Sequence, residues 1–169
     1  MRWIKRSLAG HQQNPWVISR GSLTKKLQKA TRRFEVHPAH IPHASMQPDE
    51  RARLGLYTSA LVREVFLVCD GRPVVFAHSV LPYASMRGPW CSLRVIGNKP
   101  LGGTLFANPK VRRTPLEYKK LTRNHILFHR ALQGRETKPA FLWARRSIFA
   151  LNSASILVTE IFLPEVFAL

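Results

Sequence analysis

Only two cysteines, Cys69 and Cys91, occur in the chain, and they stand apart and outside any C-x-x-C pair. That spacing excludes a disulfide framework and a thiolate metal site, so both are expected as reduced core thiols. Acids are nearly as scarce, nine against 27 lysines and arginines, for a formal net charge of +18. Such a balance calls for anionic company: a nucleic-acid backbone, a small polyanionic substrate, or a solvated basic surface. No zinc-finger spacing, RNP-like aromatic motif or helix-turn-helix is present, so no specific nucleic-acid partner is expected. No apolar run approaches the roughly 20 residues of a membrane span, and the basic stretch from Met1 to Gly10 leads into polar residues rather than a signal core. A cytoplasmic, soluble protein is expected. Also missing are internal repeats, low-complexity tracts, a nucleotide-binding glycine pattern and a nucleophile elbow, which leaves hydrolase chemistry unsupported.

At 169 residues and 45% hydrophobic content the chain suffices for one unit with a sizeable core. The expected organisation is a single domain over residues 1–169, its first 15 residues a poorly ordered basic extension, and the protein a monomer. Its positive charge lies mostly in two bands. Nine bases fall between Arg2 and Arg33 with no acid, and eleven between Lys110 and Arg146 with only Glu117 and Glu136.

Helical spacing of Leu23, Leu27 and Ala30 behind Ser22 predicts a helix over Trp16 to Arg33, followed by a short strand at Phe34. Prolines 38, 42 and 48 break the next stretch into loop. Two β-rich runs, Leu61 to Val68 and Pro73 to Val80, flank Cys69-Asp-Gly-Arg72, whose Asp-Gly centre suits a type I′ hairpin turn. A second hairpin is expected from Trp143 to Leu151 and Ile156 to Leu163, around Asn152-Ser-Ala-Ser155. Thr122 to Leu132 reads as helix. Asn98 and Pro100 suit a helix start or a turn, and Gly102 and Gly103 permit either a bend or close approach to a ligand.

Two charges sit where apolar side chains dominate. Glu160 lies inside the run Ile156 to Pro164, sharing a strand face with Ile156, Val158 and Phe162. Burial disfavours ionised carboxyls, so a carboxyl so placed suits a proton donor or a partner for a polar ligand group; the alternative is a structural carboxylate paired with a buried arginine. Arg63 alternates onto the face of Val65 and Leu67. Its guanidinium suits a carboxylate fork, or else snorkels to an edge or pairs with Glu160. His37, His40 and His43 recur every third residue, yet on a proline-interrupted loop they need not converge, and no metal is expected. His78, within a strand, reads as a satisfied core histidine.

Taken together, Ser22-Leu-Thr-Lys, Val62-Arg-Glu-Val, Pro100-Leu-Gly-x-x-Leu-Phe106, Leu142-Trp-Ala-Arg-Arg-Ser147 and Val158-Thr-Glu-Ile-Phe-Leu-Pro164 resemble the chorismate pyruvate-lyase family, the 4-hydroxybenzoate synthases of ubiquinone biosynthesis. The blocks fall in the family's order across roughly residues 16 to 164. The resemblance implies an α+β fold with a central antiparallel sheet packed by helices. It also implies cofactor-free conversion of chorismate to 4-hydroxybenzoate and pyruvate. By position, Arg63 matches the arginine that grips the ring carboxylate and Glu160 the glutamate that meets the ring hydroxyl. Leu101 and Leu23 match ligand-lining positions, and Leu23 stands where the family commonly has methionine, a side chain of similar volume. The segment from about Leu116 to Phe141 is longer than the family pattern, and the His/Pro loop is unusual. The charge is also high, which leaves room for a peripheral contact with anionic membrane. Two alternatives stand beside the lyase: a non-catalytic effector-binding domain of the same fold, and a basic nucleic-acid-binding protein.

Overall fold

A computed structural model describes residues 2–5, 15–40, 44–56 and 59–169. Its centre is a seven-stranded antiparallel sheet ordered β1-β2-β3-β7-β6-β4, with β5 also pairing β6. The strands are β1 (Phe34–Pro38), β2 (Ala60–Cys69), β3 (Arg72–Pro82), β4 (Arg112–Arg113), β5 (Glu117–Leu121), β6 (Leu142–Leu151) and β7 (Ala154–Phe162). The β2–β3 hairpin turns where the sequence expects it. Asp70 at φ 47° and Gly71 at φ 78° both take left-handed backbone, as a type I′ turn demands. Register slips between Leu67 and Val68, where Pro73 faces Val68, and the bulge lets both Val74 and Val75 join one core cluster.

Helices cover both faces. On one face lie α1 (Pro15–Ile18), α2 (Leu23–Ala30), α4 (Tyr83–Arg87) and α5 (Leu101–Ala107). Leu23 and Leu27 of α2 pack with Val36, Val65, Leu67 and Ala77, while Leu101 and Leu105 of α5 pack with Leu81, Phe149 and Ile156. On the opposite face α6 (Ile126–Ala131) buries Leu127, Phe128 and Ala131 against Phe76, Ala144 and Ile161. There too α3 (Pro48–Leu54) sets Leu54 against Val80, Ile148 and Leu157.

Three local expectations differ from what is observed. The helix expected over Trp16 to Arg33 is two helices, broken at 19–22, where Ser22 caps α2 by accepting from the Lys25 amide at 3.3 Å. The second hairpin turns on Asn152-Ser153 alone, with Leu151 opposite Ala154 and Asn152 at φ 54°. Cys69 is a core thiol, but Cys91 is exposed. Residue 4 pairs with Tyr118 as an isolated bridge, and residues 6–14 lie outside the described residues.

The face bearing α3 and α6 carries a buried charge network. His78 places Nδ1 at 2.8 Å from Glu64 and Nε2 at 3.1 Å from Glu50, and Glu64 also accepts from Arg130 at 2.8 Å. With both ring nitrogens facing carboxylates, His78 must donate twice, as an imidazolium. Burial alone would push its pKa down; hydrogen bonds and charge from Glu50 and Glu64 outweigh that and raise it to about 9. A group whose folded pKa stands above its ordinary 6.5 contributes its full stabilisation below that value and loses it as pH climbs through about 9. The melting temperature should therefore fall between neutral pH and pH about 10, and His78→Gln should flatten that slope while lowering stability at neutral pH. Wild type and variant curves of the same shape would refute the assignment.

Candidate functional site

Successive residues of a strand alternate faces, so the register decides which side chains meet. Arg63, Ser79, Val158 and Ser147 stand opposite one another across β2, β3, β7 and β6, and the neighbouring row runs Val65, Ala77, Glu160, Arg145 and Tyr118. Both rows face α2 and α5. Arg63 and Glu160 are thus on adjacent rows, two strand spacings apart, each spacing about 4.8 Å.

Between this face and the two helices lies a cavity containing about 520 Å³ of space free of atoms, part of it open to solvent. All four positions singled out from the sequence, Leu23, Arg63, Leu101 and Glu160, border it. Leu23 and Leu101 open their helices and are 3% and 7% exposed, so each first turn is pressed onto the cavity. The close approach of α5 to α2 falls at Gly102, where a Cβ would stand 2.9 Å from Thr24 Oγ1 and 3.4 Å from Ser22 Oγ. Gly103 meets nothing within 4 Å. Of the two uses considered for this glycine pair, close approach applies to Gly102, but the partner is a helix.

Arg63 does not pair with Glu160. Its Nη2 donates to the carbonyls of Gly97 and Lys99 at 2.9 and 3.0 Å, which fixes the guanidinium over the cavity edge. Burial pushes its pKa below the ordinary arginine value. Glu160 pairs instead with Arg145, whose Nε lies 2.5 Å from Glu160 Oε2. Arg145 is wholly buried, and its Nη1 donates to the carbonyls of Trp16, Val17 and Ser19. One guanidinium therefore ties the cavity carboxylate to the segment leading into α2. Its Nη2 is buried with no partner among the described residues. With Oε2 occupied, Glu160 Oε1 has no recorded protein partner among the described residues and is the acceptor left for a ligand.

Sequence reasoning missed Arg145 and Arg113. The missed signal for Arg145 was the adjacent pair Arg145-Arg146 inside an apolar strand, which must send one guanidinium to each face. Arg146 goes to the other, donating to Glu117 at 2.8 Å and Asp49 at 2.7 Å and lying 4.2 Å from the Trp3 ring. Arg113 on β4 also borders the cavity, held by Ser147 Oγ at 2.8 Å and the Arg20 carbonyl at 2.7 Å.

His78 lies on the opposite face, within the network it forms with Glu50 and Glu64. Among the described residues no group of histidine, cysteine and acidic side chains is arranged to hold a metal ion, and His43 is outside the described residues. No helix among the described residues is long and apolar enough to cross a membrane.

The sequence profile of the family described as chorismate lyase matches residues 6–169. A probable chorismate pyruvate-lyase of Nitrosospira multiformis is 50% identical over 157 residues, covering 91% of this chain and 87% of its own. The probable chorismate pyruvate-lyase of Methylobacillus flagellatus is 42% identical over 170 residues, 99% of this chain and 96% of its own. Among solved structures, the effector domain of PhnF from Mycobacterium smegmatis aligns with a TM-score of 0.57 at 14% identity, covering 86% of this chain and 90% of that one. The ligand-binding domain of a GntR-family regulator from Bordetella bronchiseptica aligns with a TM-score of 0.54 at 16% identity, over 79% and 86%. At such identities the structural likeness speaks for the fold: an antiparallel sheet with helices packed on it.

The contrast between the two glycines is measurable. Gly103→Ala should stabilise the fold by up to about 1 kcal/mol of helix propensity and so raise the melting temperature, whereas Gly102→Ala should lower it by forcing α5 away from Thr24. Equal shifts in the two variants would contradict the close packing of α2 on α5.

Proposed function

The chain belongs to the chorismate lyase family, and on that footing we propose that it converts chorismate to 4-hydroxybenzoate and pyruvate, feeding ubiquinone biosynthesis. The observation that carries this reading is that Arg63 and Glu160, more than ninety positions apart in the chain, border one cavity between the sheet and two helix starts. The names borne by the relatives favour turnover over an effector-binding role.

In this reaction the bond from the ring to the enolpyruvyl oxygen breaks and the proton on the hydroxyl-bearing carbon is lost. The departing enolpyruvate regains a proton at its methylene carbon and becomes pyruvate. Atoms and electrons balance without an oxidant, and the gain of aromaticity drives the step. The protein's task is then to orient the ring and stabilise charge as the ether bond breaks. In this reading Arg63, restrained by two carbonyls, takes the ring carboxylate, and Glu160 Oε1 accepts from the ring hydroxyl. Arg145 holds Glu160 in place, so the carboxylate acts as a preorganised acceptor. Leu23 and Leu101 supply apolar walls that limit water access.

The reading includes a cytoplasmic monomer whose basic surface makes peripheral contact with anionic membrane, where later prenylated intermediates reside. Co-sedimentation with anionic liposomes at physiological salt should retain the protein, and its complete recovery in the supernatant would remove that element.

Incubation of purified protein with chorismate should yield 4-hydroxybenzoate absorbance and an equal amount of pyruvate. Arg63→Ala and Glu160→Gln should each lower kcat/KM by roughly 10²-fold or more, a loss typical of a removed charge-stabilising contact. Glu160→Gln should also be destabilised by about 3 kcal/mol, because Arg145 then lies buried without its countercharge. Undiminished turnover in either variant would defeat the assignment.

A further inference from the structure

Chorismate carries two carboxylates, and the pairing of Arg63 with the ring carboxylate accounts for one. The second belongs to the enolpyruvyl group, attached to the ring carbon next to the hydroxyl-bearing carbon. With the ring carboxylate on Arg63 and the hydroxyl on Glu160, the second carboxylate must lie at the Glu160 end of the ring, away from β2.

The strand order supplies a cation at that end. Crossing the sheet from β2 through β3, β7 and β6 to β4 meets Arg63, then Glu160, then Arg113. Arg113 pairs in register with Phe149, and its side chain reaches back over β6 to Ser147 Oγ. Its guanidinium sits against an edge-to-face ring pair, 5.5 Å from Phe106 and 5.1 Å from Phe149, whose centroids are 5.6 Å apart. Nε and Nη1 are engaged by Ser147 and Arg20, and Nη2 has no recorded partner among the described residues. Burial holds the Arg113 pKa below the ordinary arginine value, with the Glu160 charge acting against that shift and Arg145 adding to it, so Glu160 and Arg113 lie within electrostatic reach of each other.

Charge complementarity points the same way. Arg63, Arg113 and Arg145 stand against the single carboxylate of Glu160, leaving two positive charges for a dianion. Arg145 does not border the cavity, so the two cations that meet the ligand are Arg63 and Arg113.

We propose that Arg113, oriented by Ser147 and packed beside the Phe106–Phe149 ring pair, binds the enolpyruvyl carboxylate of chorismate and is the residue that distinguishes substrate from product. This inference rests on the lyase reading. 4-Hydroxybenzoate lacks the second carboxylate, so it leaves Arg113 without an anionic partner once pyruvate has departed.

The test compares the two ligands on one set of variants. Arg113→Gln should raise KM for chorismate roughly 10- to 100-fold, the usual scale for a lost hydrogen bond to a charged group, while the Kd for 4-hydroxybenzoate measured by calorimetry changes less than about twofold. Arg113→Lys keeps the charge without the fork and should fall between Gln and wild type. Arg63→Gln should weaken both ligands together. If Arg113→Gln weakens 4-hydroxybenzoate as much as chorismate, or if Lys is no better than Gln, Arg113 is a structural staple and the inference is overturned. An Arg113→Gln enzyme with wild-type kcat/KM overturns it as well. A wild-type protein that neither consumes chorismate nor binds 4-hydroxybenzoate would instead refute the lyase reading, and this inference with it.

Discussion

The ion pair between Arg145 and Glu160 is the constraint on which the cavity depends. It joins neighbouring residues of β6 and β7 in the middle of the sheet, and the same guanidinium gathers carbonyls from α1 and from Ser19 just after it. Burying a full guanidinium carries a desolvation cost that is offset only if its charge and donors are met. Glu160 meets the charge and the Nε donor, and the carbonyls meet Nη1, which leaves Nη2 as the buried nitrogen without a partner among the described residues. In return the arrangement fixes where α2 begins, and hence where Leu23 faces the cavity. A neutral residue at position 145 would leave both the carboxylate and the loop without their shared anchor.

The scarcity of acids takes on a different meaning in this light. Of the nine, Asp49 and Glu117 meet Arg146, Glu50 and Glu64 meet His78, Glu160 meets Arg145, Glu165 meets Arg135 and Glu35 meets Arg33. Asp70 accepts from the Arg33 amide in the turn that joins β2 to β3. The acids thus serve largely to hold particular cations in place, several of them buried, and the excess of base remains on the surface. Arg145 and Arg146 divide the sheet's two faces between them: one serves the cavity, the other welds α3 and β5 to the back. Buried charge thus anchors helices on both faces, through His78 with Glu50 and Glu64 on the back and through Arg145 with Glu160 on the cavity side.

Much of this was legible in the sequence wherever chemistry is local. Asp70-Gly71 dictates a hairpin because few other dipeptides accept two left-handed residues in succession. Arg63 and Glu160 stand out as charges in apolar strands, and with Leu23 and Leu101 they border the same cavity. What escaped depends on register and on contacts distant in sequence. A four-residue turn at 152–155 would put Ser147 opposite Glu160. The observed two-residue turn shifts the pairing by two, which preserves the faces yet brings Arg145 there instead. Arg113 sits on a two-residue strand in a basic, proline-punctuated stretch with no periodicity, and only the pairing of β4 with β6 brings it to the cavity. The helix read across Trp16 to Arg33 fails for a related reason: carbonyls of residues 16, 17, 19 and 20 are claimed by Arg145 and Arg113 rather than by a continuing helix.

The central claim is that Arg63 and Glu160 clasp opposite ends of one aromatic ring inside this cavity. A crystal structure of the protein soaked with 4-hydroxybenzoate tests it most directly. The account predicts the ligand carboxylate on the Arg63 guanidinium and its hydroxyl on Glu160 Oε1, with Leu23 and Leu101 against the ring. Ligand bound elsewhere, or with the carboxylate turned away from Arg63, would contradict it.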